Sequence, residues 1–539
     1  MKRELLLLTF VPVLALATAV RAATVTGEIF DARSRQPIPA RLYIQADDGR
    51  WFFAESASPA GSAIRYEKQN WVNTNAVEMH VTLPAHPFRI ELPPGGYTLT
   101  AERGKEYRPL IRRVEVGTGP VQLRLPLRRW INMAGRGWFS GDTHVHRPLA
   151  DLPNIMLAED LNIAFPLTCW VTKAFTPPAQ GDKNLDADAR AELIRVDATH
   201  LIWPRNTEWE IFTVDGRRHH LGAVFALGHK SAFTLGAPPL TPIAEQARRE
   251  GALLDLDKHD WPWSMALVPL MKVDLYELAN NHIWRTEFGM SKWNGAADDF
   301  VGLPGDGWSG TEREWIEAGF RNYYTLLDCG FRLRPSAGTA NGVHPVPLGF
   351  GRVYVQCPRG FSFDAWWRGL DAGRSFVTTG PMLLAEVDGH PPGERVTIKP
   401  GKSRRLKITG EVISEEPVNA VEIIVNGEVA HRLTPAPRRN RDEANETKFH
   451  QTLELNGSSW IAVRCWESRG GGRIRFAHTA PWFFDVPGAP LRPRREEIDF
   501  LIRSVRQEIG RTSGVLPAEA MAEYQKALAI YEDIAREAR

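Results

Sequence analysis

The segment GWFSGDTHVHRP is the part of the sequence best suited to chemistry, because Asp142, His144 and His146 alternate along it. On an extended chain the side chains at positions i and i+2 point to the same face, so the two imidazoles can converge on one cation. Asp142 can act behind them, by holding the loop or a ring N–H. The H-x-H pattern is weak alone, but glycines flank it and it opens a section with α/β character. The segment therefore predicts a metal site.

Further candidate ligands lie near predicted strands. THLIWP leads to Glu208, ALLDLD leads to His259 and VDLYEL ends at Glu277. His220 instead precedes the apolar run LGAVFALG. Because the loops that follow the strands of an α/β barrel gather at one face, these side chains are expected to lie near one another. Each has an ordinary alternative: an ion-paired surface group for either glutamate, a capped loop residue for His220, or a hydrogen-bonded partner of a nearby aspartate for His259.

Residues 135–385 alternate apolar strands with helical stretches, a pattern that predicts βα units and a largely parallel sheet or barrel. The clearest unit is TPIAEQARREGALLDLDKHD. Thr241 is the expected N-cap and Pro242 the first helical residue, the helix runs to Glu250, and Gly251 ends it. The strand ALLDLD follows.

The flanking regions are predicted to be different in kind. Short β-type runs separated by turn residues indicate a β-sandwich over residues 24–128, and a second one over residues 386–488. Residues 489–539 read as a helical tail with two amphipathic helices, from about Arg494 to Gly510 and from Pro517 to about Arg536. The predicted class is therefore a multidomain α/β plus all-β protein.

The sequence MKRELLLLTFVPVLALATAVRAA has the basic start, apolar stretch and small-residue site of a cleavable signal peptide, assigned to residues 1–22. It predicts a periplasmic or secreted protein with no membrane span after cleavage. The alternative is an N-terminal membrane anchor, which needs about 20 apolar residues, and Pro12 and Arg21 interrupt the run.

Charge and cysteine content narrow the function classes. Lys plus Arg number 66 against 64 Asp plus Glu, without long runs of one sign, so no nucleic-acid partner is predicted. The four cysteines are far apart and have no C-x-x-C spacing, which argues against a zinc ribbon or a disulfide scaffold. A single disulfide stays open.

From Trp138 to about Gly389 the chain resembles the PHP superfamily, and within it the CehA/McbA-type metallohydrolases. The resemblance rests on GDTHVH, on the stretch from Glu208 to His220 that leads into LGAVFALG, on the His259 loop, and on CGFRLRPSAGTANG followed by GRVYVQ. The opening VTGEIFDARSRQPIPARLYIQADDG resembles the carboxypeptidase regulatory-like module, which is an accessory domain. The resemblance implies a distorted (β/α)₇ barrel between two β-sandwiches, with one to three divalent ions and hydrolysis of phosphate esters or other ester-like bonds.

When the family's motifs are matched to this chain position by position, the resemblance implies five metal ligands. They are His144, His146, Glu208 as the bridging carboxylate, His220 and His259. Two motifs depart from the family pattern. Where T-D-H is common this chain has Thr168, Cys169 and Trp170, and where G-S-D or G-T-D is common it has Gly338, Thr339, Ala340 and Asn341. Cys169, Asn341 or His344 could replace the lost ligands. With three to five N/O ligands, one ion of Zn, Mn or Fe is expected.

Two functions fit these residues. The first is an exported metal-dependent hydrolase acting on a phosphate ester or a carboxylic or carbamate ester, with Asp260, Glu210 or His219 as the general base. The second is a non-catalytic PHP-fold protein that binds a glycan, peptide or surface partner, which the departures at Cys169, Trp170 and Ala340 favour. Five tryptophans near the candidate ligands suggest an aromatic pocket for a small-molecule or glycan substrate, or else an ordinary core; they are Trp170, Trp203, Trp209, Trp261 and Trp263.

Overall fold

The computed structural model describes residues 21–71, 73–258, 261, 263–292, 310–401 and 403–539.

Alternating burial along the first strands shows how the N-terminal region folds. Ten strands occupy the N-terminal region: β1 (Ala23–Asp31), β2 (Ala40–Ala46), β3 (Trp51–Phe52), β4 (Glu55–Ser56), β5 (Ile64–Gln69), β6 (Val77–Leu83), β7 (Phe88–Leu92), β8 (Gly95–Glu102), β9 (Leu110–Val116) and β10 (Val121–Leu127). They form a sheet in the order β10-β1-β7-β4 and another in the order β5-β6-β2-β8-β9, with β3 paired to β2. In β7 every second side chain is buried, and the inward residues of both sheets share one core.

The middle region contains thirteen strands in the described residues, and most of them are buried on both faces. They are β11 (Trp138–Val145), β12 (Ile163–Pro166), β13 (Cys169–Lys173), β14 (Ile194–Arg195), β15 (Leu201–Ile202), β16 (Thr207–Val214), β17 (Arg217–Arg218), β18 (Ala223–Leu227), β19 (Leu253–Leu256), β20 (Leu275–Ala279), β21 (Arg334–Ala337), β22 (Arg352–Gln356) and β23 (Ser375–Thr378). One sheet has the order β13-β16-β18-β19-β20-β21, in which β13/β16, β19/β20 and β20/β21 are parallel and both pairs made by β18 are antiparallel. The expected largely parallel sheet is therefore mixed.

The C-terminal β region continues a sheet of the middle region. Its strands are β24 (Met382–Val387), β25 (Arg395–Thr397), β26 (Arg404–Ser414), β27 (Ala420–Val425), β28 (Glu428–Leu433), β29 (Arg438–Arg439), β30 (Asn445–Leu455), β31 (Ser459–Ser468), β32 (Ile474–Thr479) and β33 (Trp482–Asp485). A sheet runs β14-β15-β12-β11-β22-β23-β32-β31-β27-β28, joined by β25 and β33, and a smaller one runs β24-β26-β30-β29. The long sheet crosses the boundary predicted near residue 385.

Hydrogen bonds also join the two sheets of the middle region. Val145, at the end of β11, forms a parallel bridge with Asn341, just beyond β21. His146 N–H donates to the Asn341 carbonyl at 2.8 Å, and Ala340 N–H donates to the His144 carbonyl at 2.8 Å. The ends of β11 and β21 therefore lie side by side, and the loop after β21 is held against the histidine segment.

Seven α-helices are present in the described residues: α1 (Leu152–Glu159), α2 (Thr241–Glu250), α3 (Ser264–Met271), α4 (Glu312–Asp328), α5 (Phe363–Asp371), α6 (Arg495–Thr512) and α7 (Ala518–Ala535). The two predicted C-terminal helices are confirmed within two residues at each end. Helix α2 ends at Glu250 as predicted, with Gly251 at φ 73° as its C-cap, but it begins one residue earlier than predicted, with Leu240 as N-cap and Thr241 as its first residue. Every residue of α3 is buried, and α7 packs against it.

The observed class agrees with the predicted multidomain α/β plus β organisation. Within the described residues, none of the helices combines the length and the apolar character needed to cross a bilayer. The predicted signal peptide falls almost entirely outside the described residues, which begin at 21.

Candidate metal centre

Asp142 fixes the end of β11, on which the histidine pair depends. Its carboxylate accepts hydrogen bonds from the backbone N–H of His144 at 3.0 Å, from the Thr339 hydroxyl at 2.6 Å and from the Gly349 N–H at 2.9 Å. Burial raises the pKa of Asp142 to about 6, against the lowering effect of these donors. Of the two roles expected for Asp142, it performs the first: it holds the loop rather than a ring N–H.

The two histidines of the H-x-H pattern face each other, as their spacing predicts. His144 Nε2 lies 3.0 Å from His146 Nε2, and His146 Nε2 lies 3.3 Å from Glu208 Oε2. The ligand atoms of these three residues all lie within 4.8 Å of one another, and the side chains are buried. Glu208 is within β16 rather than after a strand end. Three of the five predicted ligands thus converge.

A second group of carboxylates lies on the other side of the His144 ring. His144 Nδ1 is 3.1 Å from Glu277 Oε2 and 3.6 Å from Asp257 Oδ1. The other oxygen of Glu277 accepts a hydrogen bond from Asn281 N–H at 3.0 Å. A carboxylate on one ring nitrogen fixes the tautomer, which leaves the lone pair of the other nitrogen for a metal. Glu277 is therefore placed to orient His144.

Lys258 adds a fixed cation beside these groups. Its ammonium forms an ion pair with Asp257 and lies 3.4 Å from Glu210 Oε1. Trp170 Nε1–H donates to Glu210 Oε2 at 3.1 Å, and the Trp170 ring lies against His146 with centroids 4.0 Å apart. Trp170 thus forms a wall of the site.

Buried carboxylates outnumber the ammonium groups around the histidines. Asp255, Asp257, Glu208, Glu210 and Glu277 are all at most 7% exposed, whereas Lys258 is the one lysine or arginine that contacts them among the described residues. Such an excess of negative charge is costly in a buried site unless protons or a cation balance it.

The pKa shifts of these groups follow from this imbalance. Burial, and then Asp257, raises the pKa of Glu277 to about 8, and burial raises that of Asp255 to about 7. Burial and Glu210 raise the pKa of Glu208 well above its usual value. Burial disfavours the charged form of His144, but Asp257 and Glu277 outweigh it and raise the pKa. His146 has a pKa well below normal, because it is buried and faces His144. Neutral His146 suits a metal ligand.

The residues present fit a divalent cation. His146 Nδ1, both oxygens of Glu208 and Asp257 Oδ1 are buried without a hydrogen-bond partner in the described residues. Buried polar atoms normally have partners. Imidazole and carboxylate groups are the usual ligands of Zn, Mn and Fe. Glu208 and the Nε2 atoms of His144 and His146 therefore form a donor set of the right chemistry.

A cavity of about 300 Å³ opens beside the histidines. His144, His146, Glu210 and Lys258 line it, and its aromatic wall consists of Trp71, Trp170, Phe212 and Trp261. Trp261 stacks on His220 with centroids 5.7 Å apart. Only part of the predicted aromatic pocket is present: Trp209 and Trp263 are fully buried core residues, and Trp203 stacks on Phe363.

The remaining predicted residues have different positions. His220 lines the cavity and stacks on Trp261, and it belongs to neither described ligand group. Among the bases, Glu210 lines the cavity, whereas His219 is not among its described lining residues. His259 and Asp260 lie outside the described residues.

Two of the three replacement ligands, Cys169 and His344, are absent from the described ligand groups. Cys169 is buried, and burial raises the pKa of its thiol. Asn341 donates to the Val346 carbonyl at 2.7 Å. His344 lines the cavity and stacks on Trp71, with centroids 5.4 Å apart. All four cysteines are described, and all are free thiols, so the disulfide left open does not form.

Sequence reasoning missed Asp257 and Lys258 as members of the site. Both directly follow β19, and a signal was available, because the rule that placed His259 at this strand end applies equally to its two predecessors. Glu277 was recognised at a strand end, but its role behind His144 depends on a contact between residues far apart in sequence.

Comparison with protein-family models, curated proteins and solved structures found no match for this chain. The assignment of a function therefore depends on the site itself.

Proposed function

We propose that this protein is an exported metal-dependent hydrolase with a single divalent ion, Zn, Mn or Fe, held by His144, His146 and Glu208. The observation that carries the proposal is the buried convergence of these three side chains, in which neither Glu208 oxygen has a hydrogen-bond partner among the described residues. Asp257 and Glu277 lie on the opposite ring nitrogen of His144, where they orient it. Lys258 already neutralises Asp257, which favours one ion over several.

The same proposal includes a fold of the PHP type, a distorted (β/α)₇ barrel whose working face carries the histidines. The bridge between the ends of β11 and β21 supports closure of the two middle sheets on each other. The signal peptide predicted from the N-terminal sequence is the basis for the proposed export.

The proposed reaction is hydrolysis of a phosphate ester or a carboxylic or carbamate ester. A bound divalent ion supplies Lewis acidity to the ester oxygen and makes water more acidic. Glu210 lines the cavity and is the proposed general base, oriented by the Trp170 indole N–H. Lys258 lies beside Glu210, where its ammonium can stabilise negative charge that develops on the substrate. Trp71, Trp170 and Trp261 exclude water and offer flat surfaces to an aryl group or a sugar.

Hydrolysis of 4-nitrophenyl phosphate and 4-nitrophenyl acetate tests the proposal. We expect turnover by the wild-type protein that falls by at least about 100-fold in His144→Ala, while the exposed His450→Ala variant keeps full activity. Equal activity in His144→Ala would contradict the proposal.

The second candidate is a non-catalytic protein that uses the same cavity to bind a glycan or peptide. The observation that favours it is the aromatic wall, in which Trp170 replaces a family ligand and Trp71 is 67% exposed. Stoichiometric metal without turnover on a broad ester panel, together with glycan binding that Trp71→Ala weakens, would favour this candidate.

A further inference from the structure

A second cavity, of about 360 Å³, lies where the N-terminal, middle and C-terminal regions meet. It shares no described lining residue with the cavity at the histidines. Seven cationic residues line it, namely Arg41, Lys105, Arg285, Arg352, Arg469, Arg473 and Arg475, against three glutamates, Glu102, Glu159 and Glu415. The wall is therefore strongly positive.

Ion pairs account for four of these cations. Arg41 pairs with Glu102 and Glu159, Arg285 with Glu78 and Glu102, Arg469 with Glu467, and Arg473 with Glu312 at 2.8 Å. Lys105 and Arg352 form no ion pair with any described carboxylate. The ion pair between Arg475 and Glu312 is long, with 3.9 Å between the nitrogen and the oxygen. Three positive charges are thus left with little compensation.

Neutral groups hold these three cations in place. Lys105 Nζ donates to the Thr379 carbonyl at 2.7 Å and lies 4.1 Å from the centre of the Phe350 ring. The Arg475 guanidinium lies 5.0 Å from the same ring and donates to the carbonyls of Ile474 and Arg285. Carbonyls and an aromatic face orient a cation but do not neutralise it.

Arg352 provides independent evidence that the cavity binds a ligand. Its side chain is 1% exposed; Nε donates to the Gly349 carbonyl at 2.6 Å and Nη2 to the Glu159 carbonyl at 3.2 Å. Its Nη1 is buried without a hydrogen-bond partner among the described residues. A buried guanidinium donor without a partner is costly, and it is the group that recognises phosphate oxygens best.

We infer that this cavity is a binding site for a phosphate dianion, either free or as the phosphate group of a small molecule, contacted by Lys105, Arg352 and Arg475. A phosphate carries about 1.5 to 2 negative charges near neutral pH and offers three or more acceptor oxygens. It therefore matches several uncompensated donors better than a carboxylate does. The site goes beyond the proposed hydrolase activity and does not depend on it.

The titration behaviour of the lysine agrees with this assignment. Burial, followed by the charges of Arg352 and Arg475, holds the pKa of Lys105 well below its usual value. Burial also lowers the pKa of Arg475 to about 10. Arg352 and Arg475 therefore disfavour the charged form of Lys105, and an anion between the three side chains relieves that repulsion.

Isothermal titration calorimetry of the full-length, metal-free protein with inorganic phosphate tests the inference. We expect millimolar or tighter binding at low salt, weakened at least about tenfold in Lys105→Gln and in Arg475→Gln, since each removes a charge-assisted hydrogen bond. Two variants are expected to bind as the wild type does: Lys407→Gln, at an exposed lysine of β26, and His144→Ala, at the candidate metal centre. Circular dichroism checks that each variant is folded.

The outcomes separate the site from its alternatives. No phosphate binding by the wild type, or equal binding in folded Lys105→Gln and Arg475→Gln variants, overturns the inference. Loss of binding in His144→Ala but not in Lys105→Gln places the anion at the metal centre and also overturns it. Acetate that binds as tightly as phosphate rules out selection of a dianion. Glycerol 2-phosphate in a parallel titration identifies the source: tighter binding than phosphate supports a phosphorylated small molecule, and weaker binding supports the free ion.

Discussion

His144 is the residue on which the candidate metal centre depends, because its two ring nitrogens face different groups. Nε2 faces His146, whereas Nδ1 faces Glu277 and Asp257. A ring bound by a carboxylate on one side is fixed in orientation and is more basic on the other. The sequence pattern H-x-H predicted the pairing of the two imidazoles, because strand geometry makes residues two apart share a face. It could not predict the carboxylates behind them, which come from β19 and β20.

The role of Glu277 is tested with Glu277→Gln. The amide keeps the shape but lacks the charge that holds the His144 ring, so we expect metal affinity to fall by about 10- to 100-fold. Competition with a fluorescent chelator measures it. The control is Glu454→Gln on the exposed face of β30. Unchanged affinity in Glu277→Gln would remove Glu277 from the site.

Gly338 tests how closely β21 approaches the histidine. A Cβ at this position would lie 2.2 Å from His144 Cβ and 2.7 Å from Glu277 Oε2, both too close. Gly338→Ala is therefore expected to displace one of these side chains and to lower metal affinity at least about tenfold. Gly117→Ala, where the added methyl meets no atom within 4 Å, is the matched control. Equal metal affinity in the two variants would show that the site tolerates this displacement.

His478, far from the metal centre in the sequence, is predicted to make stability depend on pH. Its Nε2 accepts from the Tyr324 hydroxyl at 2.8 Å and its Nδ1 donates to the Thr479 carbonyl at 2.7 Å, and burial lowers its pKa from 6.5 to about 3. Below pH 6.5 the unfolded chain binds a proton that the folded chain does not. The stability present above pH 6.5 is therefore lost as the pH falls, by up to about 1.4 kcal/mol per pH unit.

Urea denaturation between pH 4 and pH 7 measures this contribution. We expect the free energy of unfolding of His478→Gln to vary less steeply with pH than that of the wild type, whereas the exposed His450→Gln variant keeps the wild-type slope. The same slope in all three proteins would contradict the assignment.

At the scale of elements, helices α2 and α3 show what local sequence can and cannot predict. The span of α2 and its end at Gly251 were predicted from Pro242 and the glycine, which are local signals. The prediction of Thr241 as the N-cap residue was wrong. The N–H groups of Leu240 and Thr241 donate instead to the Glu523 carboxylate of α7, at 2.7 and 2.8 Å. A cap that comes from the far end of the chain leaves no trace in the local pattern. The antiparallel pairing of β18 was missed because the direction in which strands pair also depends on tertiary contacts and not on the local pattern.

Tyr531 tests whether the C-terminal helices support the middle region. It is fully buried, and its hydroxyl donates to the Met265 carbonyl of α3 at 2.7 Å. Tyr531→Ala leaves a cavity against α3, so we expect a loss of about 3 to 5 kcal/mol in the free energy of unfolding. Tyr531→Phe removes only the hydroxyl and should lose about 1 kcal/mol. Losses under about 1 kcal/mol in Tyr531→Ala, measured by urea denaturation, would show that α7 contributes little here.

At the scale of the whole molecule, the N-terminal β region contributes to the cavity of the middle region. Trp71 stacks on His344, and the Tyr66 hydroxyl donates to the His344 carbonyl at 2.6 Å. The sequence predicted β regions before and after the middle region, because hydrophobic periodicity identifies strands. It did not predict that they share a cavity wall or a continuous sheet, since those contacts depend on tertiary packing.

Trp71 is therefore predicted to act on substrate binding rather than on the chemical step. Trp71→Ala should raise the KM for a hydrolysed aryl ester by about threefold to tenfold, with kcat and metal content unchanged, because the ring lines the cavity but contacts none of the three proposed metal ligands. Steady-state kinetics measure both constants. A lower kcat with an unchanged KM would place Trp71 in the chemical step instead.

The metal content of the purified full-length protein tests the central claim most directly. Elemental analysis is expected to find about one Zn, Mn or Fe ion per chain in the wild type and in His450→Ala, and little in His144→Ala or Glu208→Gln, because each of these removes a ligand. A wild-type protein without a divalent metal after growth and dialysis in each of these metals, or equal metal in all four proteins, would contradict a centre formed by His144, His146 and Glu208.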